Sequence, residues 1–372
     1  MLYIEMFLSL NLYVTTKKMY KYLKFIPKRR CHILFLLLMI SFSCKKENSI
    51  NETKRITSIA FGSCGNQWTK DWSIFNAIKR KNPDIYIALG DNMYADVGGL
   101  ETQPFYPFFV DLGYQVLSQN QIFSNFKKQV PIIATWDDHD YGKNNGGNEF
   151  DHKQAAKDAF MKFWKISNDN DMRTRDGVYS AYYYGEGNER VQILMLDTRW
   201  FLDVISNEPI AATSDTTKKI LGEQEWAWLE EELRKPAALR IIGSSTQFAT
   251  EHNGYEAWAN YPHQMERFYT LLKKTKAEGT FFISGDVHYA EINKRVVDGL
   301  YPIFDATSSG LTHSEEAAKP SIYRIGEPYV DLNFGIIRIN WETNPVLITQ
   351  EIYSKSGDMV LNNVISLNEL KF

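Results

Sequence analysis

The sequence predicts an α/β protein, two packed sheets with helices outside them in a four-layer αββα sandwich. Three observations carry this reading. Short apolar runs end abruptly in glycine and polar residues, as where Ile85-Tyr86-Ile87-Ala88-Leu89 meets Gly90-Asp91, the pattern of buried parallel strands. Segments with helical apolar spacing separate these runs, which makes βαβ crossovers. From about residue 290 onward, short strands follow one another with no helix between them. The 372 residues, 44% hydrophobic and 23% charged, are ample for such a core, and no internal repeat breaks the chain into modules.

Residues 56–61 alternate as a first strand. Asp71 to Lys81 carries Trp72, Phe75 and Ile78 on one helical face, and Asn82-Pro83 stops it. The strand into Asp91 follows, and a right-handed crossover makes it the parallel neighbour of the first. Residues 101–128, rich in Phe and Tyr with Pro104 and Pro107, read as an irregular helical excursion ending in the amphipathic Gln119 to Lys128. A strand over 131–135 delivers Asp137 to Asp140, and Gly142, Gly146 and Gly147 mark a mobile loop. His152 to Trp164 is a helix. Val178 to Tyr184 and Val191 to Asp197 form a hairpin. A helix over Leu221 to Leu233, a strand over Leu239 to Gly243, a helix over Pro262 to Lys276 and a strand over 280–284 come next. Strands over Ile292 to Val297, Pro302 to Ala306, Gly335 to Trp341 and Val346 to Tyr353 close the pattern.

The N-terminus reads as a targeting segment. Lys17, Lys18, Lys21, Lys24, Lys28, Arg29 and Arg30 precede an apolar run from Ile33 to Ile40, with Met19 as an alternative start. The run is shorter than the roughly 20 residues of a membrane span and suits a secretory signal. Ser41-Phe42-Ser43-Cys44 resembles a loose lipobox, which predicts a lipoprotein signal over 1–43, lipidation at Cys44 and a polar tether over 44–55. The competing reading is an ordinary cleaved signal with an incidental cysteine. Export to the periplasm or cell surface, held at the membrane by lipid, is the expected location. Removal of 1–43 takes seven Lys/Arg and one acid, moving net charge from −3 to −9. So acidic a chain is a poor nucleic-acid binder. Cys64 is then a lone thiol in an exported protein, either buried and inert or held by metal; its Gly-Ser-Cys-Gly turn favours metal.

Four strand ends carry metal-binding residue types: Cys64 after 59–61, Asp91 after 84–89, Asp137 to Asp140 after 132–135, and Asp286 and His288 after 280–283. In open α/β sheets ligands bind at the carboxyl edge, so the four together point to a polynuclear metal site. Cys64, Tyr94 and His288 suit a Lewis-acidic transition metal. Asp138, Asn144 and Asp286 suit harder cations such as Ca²⁺, Mg²⁺ or Mn²⁺. Asp91 is the natural bridge. Asp137 reads as an orienter of these groups. His139 is placed to donate a proton to a leaving oxygen or to bond loop backbone. Arg199 would clamp a phosphate or pair with Asp197. His152 reads as structural, and His252, His263 and His313 as isolated surface or supporting groups.

The order Gly-Ser-Cys, Gly-Asp-x-x-Tyr, Trp-Asp-Asp-His-Asp…Asn, Leu-Asp-Thr-Arg, Leu-Gly-x-x-Gln-x-x-Trp-Leu, Ser-Gly-Asp-Val-His resembles the PhoD-type alkaline phosphatases/phosphodiesterases, a metallophosphoesterase branch, from about Ile56 to Trp341. The resemblance implies a catalytic domain over 56–372 and Fe³⁺ held by Cys64, Asp91, Tyr94 and His288. It implies Ca²⁺ held by Asp91, Asn144 and Asp286, joined by Asp138; Asn145 replaces Asn144 if the loop shifts by one. Mn²⁺, Mg²⁺ and Zn²⁺ are the alternative cations for such a site. Compared with ordinary metallophosphoesterases, Ser-x-Cys replaces Asp-x-His, and Ser244-Ser245-Thr246-Gln247 stands where a middle His is expected. Many members also carry an N-terminal β domain, for which no room is seen here.

The expected activity is hydrolysis of phosphate mono- or diesters by a metal-activated hydroxide, by a monomeric enzyme. Hydrolysis of another ester class, or a non-catalytic Ca²⁺-stabilised surface protein, are the alternatives.

Overall fold

The computed structural model describes residues 53–96, 100–103, 106–206, 210–251 and 254–372. The signal segment, Cys44, most of the tether and His252 lie outside them. The described strands are β1 (Ser58–Gly62), β2 (Ile85–Leu89), β3 (Ile132–Thr135), β4 (Ser180–Tyr184), β5 (Val191–Met195), β6 (Leu239–Gly243), β7 (Thr280–Ser284), β8 (Ala290–Arg295), β9 (Ile303–Ser308), β10 (Asn333–Asn340), β11 (Leu347–Ser354) and β12 (Met359–Ser366). The helices are α1 (Ile74–Arg80), α2 (Tyr106–Gln119), α3 (Gln121–Lys127), α4 (Asp138–Tyr141), α5 (Lys153–Phe163), α6 (Glu223–Leu233) and α7 (Pro262–Thr275). None of them is long and apolar enough to cross a membrane.

Two six-stranded mixed sheets result, ordered β12-β11-β10-β1-β2-β3 and β4-β5-β6-β7-β9-β8. β1, β2 and β3 run parallel, as the crossover rule requires. In the second sheet β5, β6, β7 and β9 run parallel, and β4 pairs antiparallel with β5 as the expected hairpin.

Side-chain alternation builds the layers. On β2, Ile85, Ile87 and Leu89 join the core shared with the second sheet, whose β5 and β6 supply Ile193, Met195 and Ile241. Tyr86 and Ala88 point the other way, into a core with Phe75 of α1, Val110 of α2, Phe126 of α3 and Phe160 of α5. Successive residues of a strand face opposite layers, so one five-residue run serves two cores. Much of the aromatic richness is spent there: Trp72, Trp136 and Trp258 are fully buried.

Local chemistry sets the boundaries. Asn120 leaves the helical region and its side chain caps Phe123 N at 3.1 Å, which divides the expected excursion into α2 and α3. Pro262 opens α7 and Lys276 closes it in a left-handed turn. α4 and β12 were not anticipated. α4 is a single turn hidden among the Asp/His residues. β12 is an edge strand with Met359 and Val364 about half exposed, so its apolar alternation is weak.

The parallel strands all end on one side, and hydrogen bonds join the two sheets there. Thr135 Oγ1 donates to Leu196 O at 2.8 Å, and Ser63 N donates to Ser308 O at 3.1 Å. The carboxyl ends of β1, β2 and β3 therefore face those of β5, β6, β7 and β9. Gly90 permits the closest approach: its φ is +102°, and a Cβ there would lie 2.5 Å from Asp137 Cβ and 2.7 Å from Asp137 N. Gly90→Ala is expected to cost about 1–3 kcal/mol by combining a forbidden conformation with overpacking. A denaturant midpoint equal to wild type would refute this.

Candidate metal centre

The turns leaving β1, β2 and β7 are unusual backbone. Eight non-glycine residues have left-handed φ among the described residues, and Cys64 (63°), Asp91 (48°), Asp286 (75°) and His288 (58°) are four of them. Such conformations cost of order 1 kcal/mol or more each and gather at functional sites. Here they turn four side chains from the ends of three strands inward.

The turns converge. Ligand atoms of Cys64, Asp91 and His288 lie within 4.8 Å of one another, as do those of Asp91, Asp138 and His139, and those of Asp137, Asp138 and Asp286. Asp91 belongs to the first two groups and Asp138 to the last two, so the clusters are continuous. Cys64 Sγ is 3.4 Å from Asp91 Oδ2, and Tyr94 Oη donates to that oxygen at 3.2 Å. Asp138 Oδ2 accepts from Asn145 N at 2.7 Å. Asn144 is exposed and Asn145 half-buried, so it is Asn145 whose backbone closes the loop over Asp138.

Electrostatics define what the hollow can hold. Burial pushes the Cys64 thiol up to about 12 despite help from Ser309 and Ser63, with Asp286 and Asp137 opposing ionisation. Burial also raises Asp91, Tyr94 and Asp286 well above their ordinary ranges, and the neighbouring acids add to it. A thiolate, a phenolate and several carboxylates cannot all ionise in so dry a place unless cations join them. Bound cations reverse that balance and deprotonate a coordinating thiol. The donor set therefore fits a transition-metal ion at its softer, sulfur-bearing end and a hard cation at its carboxylate end. Asp137 Oδ2, buried and without a protein partner, is a further oxygen available to the harder one.

Arg199 differs from the expected phosphate clamp. Its guanidinium is fully buried, Nε donating to Asp137 Oδ1 at 2.5 Å and Nη1 to Glu256 Oε2 at 2.7 Å. Only its backbone amide meets Asp197, at 3.0 Å. Ser245 Oγ, from the strand end where an imidazole was missed, donates to Asp137 Oδ1 at 2.8 Å. Arg199 thus acts on the hollow through Asp137, anchoring one oxygen and leaving the other free.

His139 has a partner that sequence reasoning overlooked. Its Nδ1 lies 2.8 and 2.9 Å from the two oxygens of Asp96, its ring packs on Tyr94 with centroids 4.1 Å apart, and its backbone N–H donates to Asp91 Oδ1 at 3.3 Å. Burial would lower this imidazole, but Asp138, Asp91 and Asp96 outweigh it and raise it to about 10. His152 stacks on Tyr106, and His263 Nε2 meets Lys218 O; neither reaches the site. His313, expected to be isolated, does: its Nε2 lies 3.1 Å from Tyr94 Oη and 3.0 Å from His288 Nε2. The missed residues had faint signals. Asp96 stands two places after Tyr94, and β9 leads into Ser309-Gly310-Leu311-Thr312-His313, a fifth strand end of the same form.

This is the strand-end metal hollow of a phosphoesterase fold, and the sequence agrees: the profile of the PhoD-like phosphatase family matches residues 59–329. The chain belongs to the PhoD-like phosphatase family. Within it the chain is a phosphoric ester hydrolase, and its metal-ligand groups are those of a metal-dependent one. The solved structure of PhoD shares 16% identity, covering 86% of this chain and 73% of that one with a TM-score of 0.60. GAP50, the anchor in the inner membrane complex of Plasmodium, shares 17%, covering 83% and 89%, TM-score 0.51. A dimetal phosphatase from Danio rerio shares 11%, covering 84% and 100%, TM-score 0.51. These likenesses are of fold. No curated protein sequence matches significantly.

Two tests follow. Arg199→Ala leaves Asp137 and Glu256 buried without their countercharge and is expected to cost about 3–5 kcal/mol in denaturant unfolding; a loss below about 1 kcal/mol would show the pair carries little. In metal-free protein the raised His139 pKa means the folded state holds its proton more tightly. The resulting stabilisation is complete below the ordinary imidazole value near 6.5 and fades as pH rises through about 10. The stability gap between wild type and Asp96→Asn should therefore narrow from pH 7 to pH 10. A gap that widens would contradict the dyad.

Proposed function

We propose that this PhoD-like phosphatase is an exported, lipid-anchored phosphomonoesterase or phosphodiesterase. In this reading Cys64, Asp91, Tyr94 and His288 hold Fe³⁺, and Asp91, Asp138, Asp286 and the Asn144-Asn145 loop hold Ca²⁺. The observation that carries it is the convergence of a thiol, a phenol, an imidazole and buried carboxylates that Arg199 and His139 offset only in part. Cations bound there would supply an activated water and neutralise charge on the phosphoryl oxygens.

The chain's own residues do the rest. Asp91, common to two of the ligand groups, would serve both cations. Asp137, anchored by Arg199 and Ser245, presents its second oxygen without freedom to swing away. Asp96 takes Nδ1 of His139 and thereby aims the imidazole, whose other nitrogen is left to protonate the departing alkoxide. Packing against the tilted ring of Tyr94 holds the imidazole in place. Export and anchoring are supported by the basic and apolar segments ahead of Cys44 and by the acidic balance of the remainder.

The purified chain should release phosphate or nitrophenol from p-nitrophenyl phosphate or its bis ester, lose the activity to chelator, and recover it on adding cations. Asp91→Ala should lower kcat/KM by about 10²-fold or more, since even supporting residues around metals are worth 10- to 100-fold. Metal-loaded protein inert on both substrates would sink the reading. Elemental analysis of native protein tests the iron and calcium assignment; the absence of iron would leave the sulfur-bearing position to another transition metal such as Zn²⁺.

A further inference from the structure

The loop leaving β9 wraps the soft side of the hollow. Leu311 N donates to Ser63 O at 3.2 Å, Thr312 N to Cys64 O at 3.3 Å, and Glu315 N to His288 O at 3.0 Å. Asn66 N donates to Thr312 Oγ1 at 2.8 Å. Ser309 Oγ meets Cys64 Sγ at 3.0 Å and accepts from His288 N at 2.9 Å. The loop is therefore tied to the two residues it covers, and His313 is carried in from it.

The contacts of His313 do not make an ordinary hydrogen-bond pair. Glu315 stands 3.5 Å from His288 Nδ1 and favours the proton there, which leaves His288 Nε2 a lone pair. Tyr94 Oη donates its proton to Asp91 and so also turns lone pairs toward His313. The Nε2 of His313 thus faces two acceptors at 3.0 and 3.1 Å, and one N–H cannot serve both well. Its Nδ1 is buried and meets no protein partner, so the ring is oriented from its Nε2 edge. The neighbour distances around the hollow are 3.4 Å from Cys64 to Asp91, 3.2 Å from Asp91 to Tyr94, 3.1 Å from Tyr94 to His313 and 3.0 Å from His313 to His288. Two nitrogen donors about 2.1 Å from one cation lie roughly 3.0 to 3.4 Å apart as the angle between them opens from a right angle to the tetrahedral value.

We infer that His313 is a fifth protein donor to the transition-metal cation, reaching in beside Tyr94 and His288 from just outside the group formed by Cys64, Asp91 and His288. The inference rests on the metal-dependent reading above and assigns to that site a ligand from a fifth strand end. A second imidazole makes the position more selective for borderline cations such as Zn²⁺, Fe and Co²⁺ over Ca²⁺ and Mg²⁺.

The test uses Zn²⁺ alone as probe. The full chain is stripped with chelator and reloaded with one equivalent of Zn²⁺, and X-ray absorption at the zinc edge counts neighbours for zinc that carries a sulfur scatterer. Wild type should show one sulfur and two imidazoles. His313→Ala and His313→Gln should each show one sulfur and one imidazole, with Zn²⁺ affinity by chelator competition weakened about 10-fold or more. The wild-type count is read without any variant, so a misfolded substitution cannot obscure it. One imidazole in wild type, or two retained in either variant, overturns the inference and leaves the metal centre standing. No zinc–sulfur neighbour in wild type overturns both.

Discussion

Too much buried acid for too little buried base is the constraint around which this molecule is arranged. Asp91, Asp137, Asp138 and Asp286 share one hollow with Cys64 and Tyr94, and the cationic groups that face them are Arg199 and His139. Desolvation then drives protons onto groups whose chemistry requires that they be lost. Only additional positive charge resolves the conflict. The site is best understood as a cation receptacle whose affinity derives from that imbalance.

Holding the imbalance together requires a rigid frame. The candidate ligands come from loops after strands of two different sheets, and the sheets are bonded where those strands end. Left-handed backbone at Cys64, Asp91, Asp286 and His288 persists because the strands behind them are buried on both faces. The frame itself does not dictate chemistry, since the same fold is shared with a Plasmodium protein described as an anchor as well as with phosphatases. Function resides in the donors grafted on the strand ends.

Around the donors lies a layer that aims them. Arg199 and Ser245 fix one oxygen of Asp137, Asp96 fixes His139, and Ser309 bridges Cys64 to the backbone of His288. Asp140, burial-raised to about 7, accepts from the amides of Asp91 and Asp137 and so couples two strand ends. Such supporting contacts decide orientation and ligand basicity around metals, and they join residues far apart along the chain.

The alternation of Ile85, Ile87 and Leu89 with Tyr86 and Ala88 was enough to place β2 between two layers, and glycine before Asp91 and Asp286 was enough to mark the strand ends that matter. Those features are local, set by period and by backbone freedom, and they are written in consecutive residues. β12, the pairing of Asp96 with His139, the diversion of Arg199 from substrate to Asp137 and Glu256, and the arrival of His313 beside His288 had no such local mark. Each depends on which loops face one another once the two sheets have packed, and on charges that meet only after water has left. The sequence by itself determined the elements and the chemical character of the donors; the tertiary structure alone decided their partners, because burial and pairing are properties of the assembled hollow.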